Sequence, residues 1–322
     1  MDKIKILVKS IFLDESVLHI LRSSFNQAEF YWANNQEEFL KLIPEVDILW
    51  GDSLTPELLK AAKKLRWMHT VAAGVETMLF PEFVESPIPL TAGKGVHAIQ
   101  MAEHVFALIL AFTRNLSIAF EAKGRSEWMA MDLSRKNIGE IYERTMGIIG
   151  LGGIGMEVAK RAKGLGMNVI AVKRSPSPKP DFVDELYLED KKMEVLSKSD
   201  FVVLALPSTP STQKVIGEEE LRAMKPYSYI VNVGRGSAID EEDLVKALRE
   251  GWIGGAGLDV FSEEPLPSTS PLWNLANVVM TPHTSGGSPH IGRRSVEFFC
   301  ENLRRFLVGE ELLNIVDKKE GY

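Results

Sequence analysis

Hydrophobic and polar positions alternate along the first hundred residues in a way that predicts strands followed by helices. The segments Ile4–Val8 and Asp47–Asp52 contain short apolar runs of strand length. Between them, four apolar residues fall on one face of a helix: Val17, Leu18, Leu21 and Phe25. Further on, Thr55 and Pro56 are the residues that commonly cap and begin a helix. This β-α-β alternation predicts a parallel sheet covered by helices.

The remaining chain repeats the alternation after a long helix predicted from about Ile99 to about Ala122. The segment Arg144–Val172 has the pattern of strand, glycine turn, helix and strand, and four more strands follow it. The last helix is predicted to begin at Pro289, with Ser288 as its cap. The pattern therefore predicts an α/β fold with two parallel-sheet units.

Composition and charge limit the classes of protein to which this chain can belong. A chain of 322 residues is too long to form one ordinary hydrophobic core, and its length fits two domains. A net charge of -7 disfavours a general nucleic-acid binder, which needs a basic face. The apolar run Val105–Phe112 is too short for a bilayer, so no membrane association is expected. With Cys300 as the single cysteine and no signal-like N-terminus, we expect a reducing, cytoplasmic location and no metal site.

A glycine-rich turn carries the first chemical motif. Gly150, Gly152 and Gly155 form the spacing G-x-G-x-x-G, and Gly153 and Ile154 lie within it. Such glycines permit a tight turn and a close approach of the backbone to a pyrophosphate, which the helix N-terminus then attracts. The motif predicts a dinucleotide site; a tight turn with no ligand is the alternative.

The strand after this motif ends in basic residues, where sites for NAD commonly have a carboxylate. Lys173, Arg174 and Ser175 occupy that strand end. A guanidinium, an ammonium and a hydroxyl together suit the 2′-phosphate of NADP. The sequence therefore favours NADP, with NAD still possible. An ordinary solvated strand end is the alternative interpretation.

Three further strand ends carry residues suited to acid–base chemistry. Arg235 lies between two glycines, Asp259, Glu263 and Glu264 follow the next strand, and His283 follows the last one. An arginine suits an anionic substrate, and a histidine with a carboxylate suits proton transfer. Each residue alone has an ordinary explanation, such as a solvated loop position. Ligands of open parallel sheets bind at this edge, which favours the functional interpretation.

These motifs, "GLGGIG", "NVGRG", "DVFSEEP" and "TPH", together resemble the D-isomer-specific 2-hydroxyacid dehydrogenases, including glyoxylate and hydroxypyruvate reductases. The resemblance covers nearly the whole chain. It implies that Arg235, Glu264 and His283 are the catalytic residues. Glu264, directly before Pro265, matches the family position. Asp259 would lie near the nicotinamide amide.

The resemblance also implies binding residues outside the catalytic set. The segment "TVAAGVE" is similar to the family's substrate-carboxylate loop, so the backbone amides around Ala73, Gly74 and Val75 would bind the carboxylate. Further cofactor contacts would come from Pro207, Thr212, Val233, His283 and Gly286. The chain departs from the family pattern at Lys173, where NAD-using members have aspartate, and at Ala72, where many members have glycine.

The family's architecture gives the expected domain organisation. It consists of two Rossmann-like or flavodoxin-like parallel-sheet domains with an active-site cleft between them. The substrate-binding domain would be discontinuous, formed by residues 1–100 and 288–322, and residues 101–287 would bind the dinucleotide. The long helix would contribute to a homodimer interface.

The implied reaction is hydride transfer between NADPH and a 2-oxo acid, giving a D-2-hydroxy acid. His283 would exchange the proton, Glu264 would orient the imidazole and favour its charged form, and Arg235 would anchor the substrate carboxylate. Two alternatives remain open: a dinucleotide-sensing corepressor, and a dehydrogenase of formate or phosphite. The substrate is also open among glyoxylate, hydroxypyruvate and bulkier acids. Lys94 is either a second positive charge for a larger acid or a surface lysine.

Overall fold

The computed structural model describes residues 3–11, 13–129 and 139–321. The chain divides into two units, which are described separately. Unit 1 comprises Met1–His97 and Ser288–Tyr322, and unit 2 comprises Ala98–Gly287. Both units are parallel-sheet α/β structures, so the predicted fold class is confirmed.

Unit 1 contains a five-stranded sheet in the order β2-β1-β3-β4-β5, in which every neighbouring pair is parallel. Its elements before residue 98 are β1 (Ile4–Lys9), α1 (Val17–Ser24), β2 (Ala28–Trp32), α2 (Gln36–Leu42), β3 (Ile48–Gly51), α3 (Pro56–Ala61), β4 (Trp67–Thr70), α4 (Pro81–Val84) and β5 (Leu90–Ala92). The side chain of Thr55 accepts a hydrogen bond from the Leu58 amide at the start of α3, and Pro56 is the first helical residue, as predicted. The apolar face predicted for α1 is buried.

Unit 2 contains a seven-stranded parallel sheet in the order β12-β11-β10-β9-β6-β7-β8. Its elements are α5 (Ala98–Thr113), α6 (Leu116–Gly124), β6 (Thr145–Ile149), α7 (Gly153–Gly164), β7 (Asn168–Val172), β8 (Glu185–Tyr187), α8 (Lys192–Lys198), β9 (Phe201–Leu204), α9 (Glu218–Ala223), β10 (Tyr229–Asn232), α10 (Glu241–Glu250), β11 (Gly255–Leu258) and β12 (Val278–Met280). The chain reverses its direction across the sheet between β6 and β9, which creates the switch point where such sheets bind nucleotides.

The prediction of one long helix from Ile99 to Ala122 was wrong. Two helices, α5 and α6, cover this segment and are bent by 70° with respect to each other. The break lies at Asn115, whose φ of 51° is left-handed, a conformation that asparagine tolerates better than most residues. Within the described residues no single helix can span a membrane by length and composition, although the bent pair α5–α6 passes that test when taken together.

The C-terminal helix α11 (Ile291–Val308) begins two residues later than predicted and is not capped by a side chain. The Ser288 hydroxyl instead accepts a hydrogen bond from the His290 amide at 3.2 Å, in the turn that precedes the helix. From α11 the ring of Phe299 packs into unit 1, stacked on Trp50 with centroids 4.1 Å apart and on Trp67 at 5.3 Å. This stack attaches the helix to strands β3 and β4.

We predict that Phe299→Ala lowers the free energy of unfolding of unit 1 by about 3–5 kcal/mol, because it empties a fully buried aromatic site. Equilibrium unfolding in urea measures the change. Ile20→Ala on the exposed face of α1 is the control, since Ile20 is 52% exposed. A loss below about 1 kcal/mol for Phe299→Ala would contradict the assignment of this stack as a main support of the unit.

Candidate active site

Every chemical motif that the sequence places in unit 2 lies at one edge of its sheet. Because all seven strands are parallel, their carboxyl ends meet at that edge. The predicted residues lie within three positions of the strand ends: Gly150 after β6, Lys173 after β7, Pro207 after β9, Arg235 after β10, Asp259 after β11 and His283 after β12. Unit 2 thus arranges the predicted cofactor and catalytic residues along a single row of loops.

The glycine turn after β6 has the backbone geometry of a nucleotide cradle. Gly150 has a φ of +102°, and a Cβ there would lie 2.7 Å from the Ala205 carbonyl oxygen. A Cβ on Gly155 would lie 2.2 Å from the Gly150 carbonyl oxygen, so α7 packs directly on the turn. At Gly152 a Cβ would meet no protein atom within 4 Å. The open space in front of Gly152, at the N-terminus of α7, fits a pyrophosphate.

The strand end after β7 is basic and partly exposed. Arg174 and Ser175 are exposed, and Lys173 is half-buried. The Lys173 ammonium donates to the Ser177 hydroxyl at 3.0 Å, so it is bound within its own loop. No carboxylate occupies residues 173–175, where an adenosine ribose without a phosphate would find its acceptor. Of the three predicted residues, Arg174 and Ser175 are therefore the ones exposed to a ligand.

Two other predicted cofactor segments are held by their own hydrogen bonds. The Thr212 hydroxyl donates to the Pro207 carbonyl at 2.7 Å and accepts from the Thr209 amide at 2.9 Å, which closes the turn after β9. Pro207 itself is exposed. The side chain of Val233 is fully buried, so only its backbone is available to a ligand.

Arg235 lies in a loop that its neighbours fix tightly. A Cβ on Gly234 would lie 2.7 Å from the Leu206 carbonyl oxygen, and one on Gly236 would overlap Phe261 at 1.9 Å. Asn232 bridges the loop, since its amide nitrogen donates to the Arg235 carbonyl and its oxygen accepts from the Gly234 amide. The two glycines are thus required by close backbone contacts, and they hold the arginine between them in one position.

Glu264 and His283 form the central pair of the site. His283 Nδ1 lies 2.6 Å from Glu264 Oε2, and Glu264 Oε1 accepts from the Phe261 amide at 2.9 Å. The histidine backbone has a φ of 52°, and its amide donates to the Asp259 carbonyl at 2.9 Å. The side chain of His283 is 51% exposed. Because Nδ1 is bound to the carboxylate, Nε2 is the ring atom available to exchange a proton with a substrate.

Asp259 organises the chain that carries His283. Its fully buried carboxylate accepts from the Thr281 hydroxyl at 2.6 Å and from the amides of Thr284 and Ser285 at 2.9 Å each. Since the Thr281 hydroxyl donates to Asp259, it accepts from His104 Nε2, which lies 2.8 Å away on α5. His104 was missed by the sequence reasoning, because its helical spacing is that of an ordinary core-facing position. Gln100 also contacts the chain just after His283, since its side-chain amide donates to the Gly286 carbonyl at 2.9 Å.

In unit 1, the predicted carboxylate-binding loop follows β4. Ala73 is exposed, Gly74 is half-buried and Val75 is buried. The Ala72 amide donates to the Thr70 hydroxyl at 3.2 Å, and the Ala72 carbonyl accepts from the Gly93 amide at 3.0 Å. The loop is therefore held at Ala72, and the exposed Ala73 follows directly.

Comparison with known proteins gives a consistent assignment. Residues 106–285 match the family model described as D-isomer specific 2-hydroxyacid dehydrogenase, NAD binding domain. A glyoxylate reductase of Korarchaeum cryptofilum is 39% identical over 276 residues, which are 84% of this chain and 82% of that protein.

Two solved structures are similar over almost their full length. A D-isomer specific 2-hydroxyacid dehydrogenase family protein from Aeromonas salmonicida has a TM-score of 0.85 and 31% identity, covering 98% of this chain and 99% of the other. An NADPH-dependent glyoxylate/hydroxypyruvate reductase from Sinorhizobium meliloti, in complex with NADP and sulfate, has a TM-score of 0.84 and 27% identity, covering 99% and 100%.

We predict that Gly152→Ala folds normally but binds NADPH at least tenfold more weakly, because its methyl group would occupy the space in front of the helix N-terminus. Isothermal titration calorimetry measures the affinity, and thermal unfolding without nucleotide measures the fold. Gly164→Ala, at the other end of α7, is the matched control because a Cβ there also meets no atom within 4 Å. Equal NADPH affinities for the two variants would contradict the assignment of the pyrophosphate site to this turn.

Proposed function

Because this chain belongs to the D-isomer specific 2-hydroxyacid dehydrogenase family, we propose that it reduces a 2-oxo acid to a D-2-hydroxy acid with NADPH. The proposal rests mainly on the Glu264–His283 pair, in which Glu264 Oε2 lies 2.6 Å from His283 Nδ1. It provides a proton donor at the sheet edge where the family binds its dinucleotide. These relatives do not favour a corepressor or a formate or phosphite dehydrogenase.

His283 acts as the general acid in this proposal. A nicotinamide held at this edge would supply the hydride chemistry, and the reduced carbonyl oxygen would need a proton. His283 Nε2 donates that proton, while Glu264 holds Nδ1 and stabilises the imidazolium. The charge of the pair is balanced when the ring is protonated, and the ring becomes neutral after transfer. In the oxidation direction the neutral ring accepts the proton again.

Arg235 binds the carboxylate of the substrate. Its guanidinium forms paired, charge-assisted hydrogen bonds with a carboxylate and polarises the adjacent carbonyl. The backbone amides around Ala73, Gly74 and Val75 donate to the carboxylate as well. Asp259, with both oxygens bonded inside unit 2, keeps the His283 segment in position.

We propose NADP as the preferred cofactor on the basis of residues 173–175. Arg174 and Ser175 are exposed and together provide a guanidinium and a hydroxyl for a 2′-phosphate. Lys173 adds charge, although its ammonium also contacts Ser177. The Sinorhizobium meliloti relative, a glyoxylate/hydroxypyruvate reductase, was solved with NADP. Its name supports glyoxylate and hydroxypyruvate as the first substrates to test.

A homodimer is part of the same proposal. The short helix α6 carries Phe120 with 68% of its surface exposed, and Trp128 beyond it is 95% exposed. Large exposed apolar side chains of this kind commonly mark an interface. The helix predicted to form the dimer contact is the one that the structure divides into α5 and α6.

We predict that His283→Gln lowers kcat for reduction by roughly 10²–10⁴-fold with NADPH affinity retained, because the general acid is lost. Steady-state absorbance assays measure this with glyoxylate, hydroxypyruvate, pyruvate and phenylpyruvate, each with NADPH and NADH.

His19→Gln, at an exposed position on α1, is the control for that experiment. If the unsubstituted protein oxidises neither cofactor with any of the acids, the enzymatic proposal is wrong. A kcat for His283→Gln equal to that of the unsubstituted enzyme would exclude His283 as the acid but leave the reaction intact.

We predict that Arg174→Ala raises the Kd for NADPH by about 10–100-fold and leaves the Kd for NADH unchanged, because only NADPH carries the 2′-phosphate. Titration calorimetry with both nucleotides measures the two constants. Arg249→Ala, at an exposed position on α10, controls for a general loss of positive charge. Equal losses for both nucleotides would refute the phosphate pocket.

A further inference from the structure

The C-terminal segment (residues 313–318) pairs antiparallel with the edge strand β5 of unit 1. The Val316 amide donates to the Leu90 carbonyl at 2.8 Å. In the opposite direction, the Ala92 amide donates to the Asn314 carbonyl at 3.2 Å. Val316 is buried in the same apolar cluster as Leu90 and Ala92. The C-terminal segment is therefore anchored on β5 by both backbone pairing and apolar packing.

From this segment the side chain of Asn314 reaches the turn that follows β5 (residues 93–97). Its amide nitrogen donates to the Lys94 carbonyl at 2.8 Å and to the Ala92 carbonyl at 3.4 Å. The turn also closes on itself, since the Val96 amide donates to the Gly93 carbonyl at 3.1 Å. Asn314 thus binds backbone oxygens on both sides of Gly93.

The turn after β5 is itself attached to the start of the proposed carboxylate loop (Ala73–Val75). β4 and β5 are parallel neighbours, so the segments that follow them begin at the same edge of the sheet. The Gly93 amide donates to the carbonyl of Ala72, the residue directly before the carboxylate loop, at 3.0 Å. A Cβ on Gly93 would lie 2.1 Å from the Val71 carbonyl oxygen, so the two backbones are in contact. A displacement of Gly93 would therefore displace the residue from which the carboxylate loop begins.

The backbone conformation of Asn314 offers a second reason for an asparagine at this position. Its φ of 54° is left-handed, a conformation that asparagine adopts more readily than most residues and that glycine adopts without steric cost. If the backbone were the whole reason, glycine would serve equally well. Glycine would lose the two side-chain hydrogen bonds to the turn after β5, so this substitution separates the two roles.

We propose that Asn314 is a positioning residue for substrate binding, which acts through the turn after β5 to hold the carboxylate loop. This inference rests on the proposed function, in which the backbone amides of that loop donate to the carboxylate of the 2-oxo acid. Amides that are already held in place lose less conformational freedom when the acid binds. The role of Asn314 therefore concerns binding of the acid, and not the transfer of the hydride or the proton.

The kinetics of Asn314→Gly and Asn314→Asp test this role. Glycine keeps the left-handed backbone without the side-chain donor, and aspartate keeps the shape but places an acceptor against two carbonyl oxygens. Both variants should raise the KM for glyoxylate by about five- to tenfold, the effect of losing about one hydrogen bond. The kcat and the Kd for NADPH should stay unchanged, because the lost binding affects the ground state and the transition state equally.

Lys318→Met is the matched control, because Lys318 attaches the other end of the C-terminal segment to the chain at the end of α4. Its ammonium donates to the carbonyls of Phe83, Ser86 and Ile88 at 2.7, 2.6 and 3.1 Å. This variant should lower the temperature of thermal unfolding and leave the KM for glyoxylate unchanged. It separates a general loosening of the C-terminal segment from loss of the Asn314 side chain.

Hydrogen–deuterium exchange followed by mass spectrometry gives a measurement that does not depend on turnover. In Asn314→Gly, peptides that cover residues 70–76 should exchange faster than in the unsubstituted protein, because the turn after β5 holds that segment less firmly. In Lys318→Met the same peptides should exchange at the rate of the unsubstituted protein.

The outcomes separate this inference from the proposed function. Turnover of glyoxylate with a KM that neither Asn314 variant changes would overturn the role of Asn314 and leave the dehydrogenase intact. An equal rise of KM in Lys318→Met would also overturn it. Absence of turnover with every acid in the unsubstituted protein would contradict the proposed function. Unchanged exchange of residues 70–76 in Asn314→Gly would overturn the positioning role whether or not the protein turns over an acid.

Discussion

Parallel pairing of the strands is the constraint on which the rest of the structure depends. All strand pairs in both sheets are parallel, so each strand must be followed by a crossover before the next can form. The loops that begin these crossovers collect at one edge of each sheet. In unit 2 residues that are more than a hundred positions apart, such as Gly150 and His283, therefore belong to the same row of loops.

Within that row, backbone contacts and one buried carboxylate hold the functional side chains. Gly150, Gly155, Gly234 and Gly236 each bring backbone so close to a neighbour that a side chain would overlap it. Asp259 has no exposed surface, and it compensates for this burial by accepting three hydrogen bonds from the segment around His283. These hydrogen bonds hold the segment where His283 has a left-handed backbone, a conformation that costs free energy for a non-glycine residue.

Sequence reasoning predicted the structure correctly where a residue type meets a specific requirement of the local backbone. The glycine turn and the Thr55–Pro56 helix start were predicted because each answers a local backbone requirement. The break at Asn115 was missed because the apolar spacing continues across it, and the left-handed residue is visible only in the backbone. The Ser288 cap failed for a similar reason, since the serine forms a turn before the helix instead. His104 was missed because its partner, Thr281, is 177 positions away along the chain.

In our proposals the acid–base pair and the substrate-carboxylate loop are held by separate sets of contacts. The acid–base pair belongs to unit 2, where Glu264 binds the His283 ring and the buried Asp259 holds the segment around it. The carboxylate loop belongs to unit 1 and is fixed by a different set of contacts, through Gly93, His97 and Asn314. Each set is held by contacts within its own unit, so the loop around Ala73–Val75 can be substituted without removing a contact that Glu264 or Asp259 makes with the His283 segment.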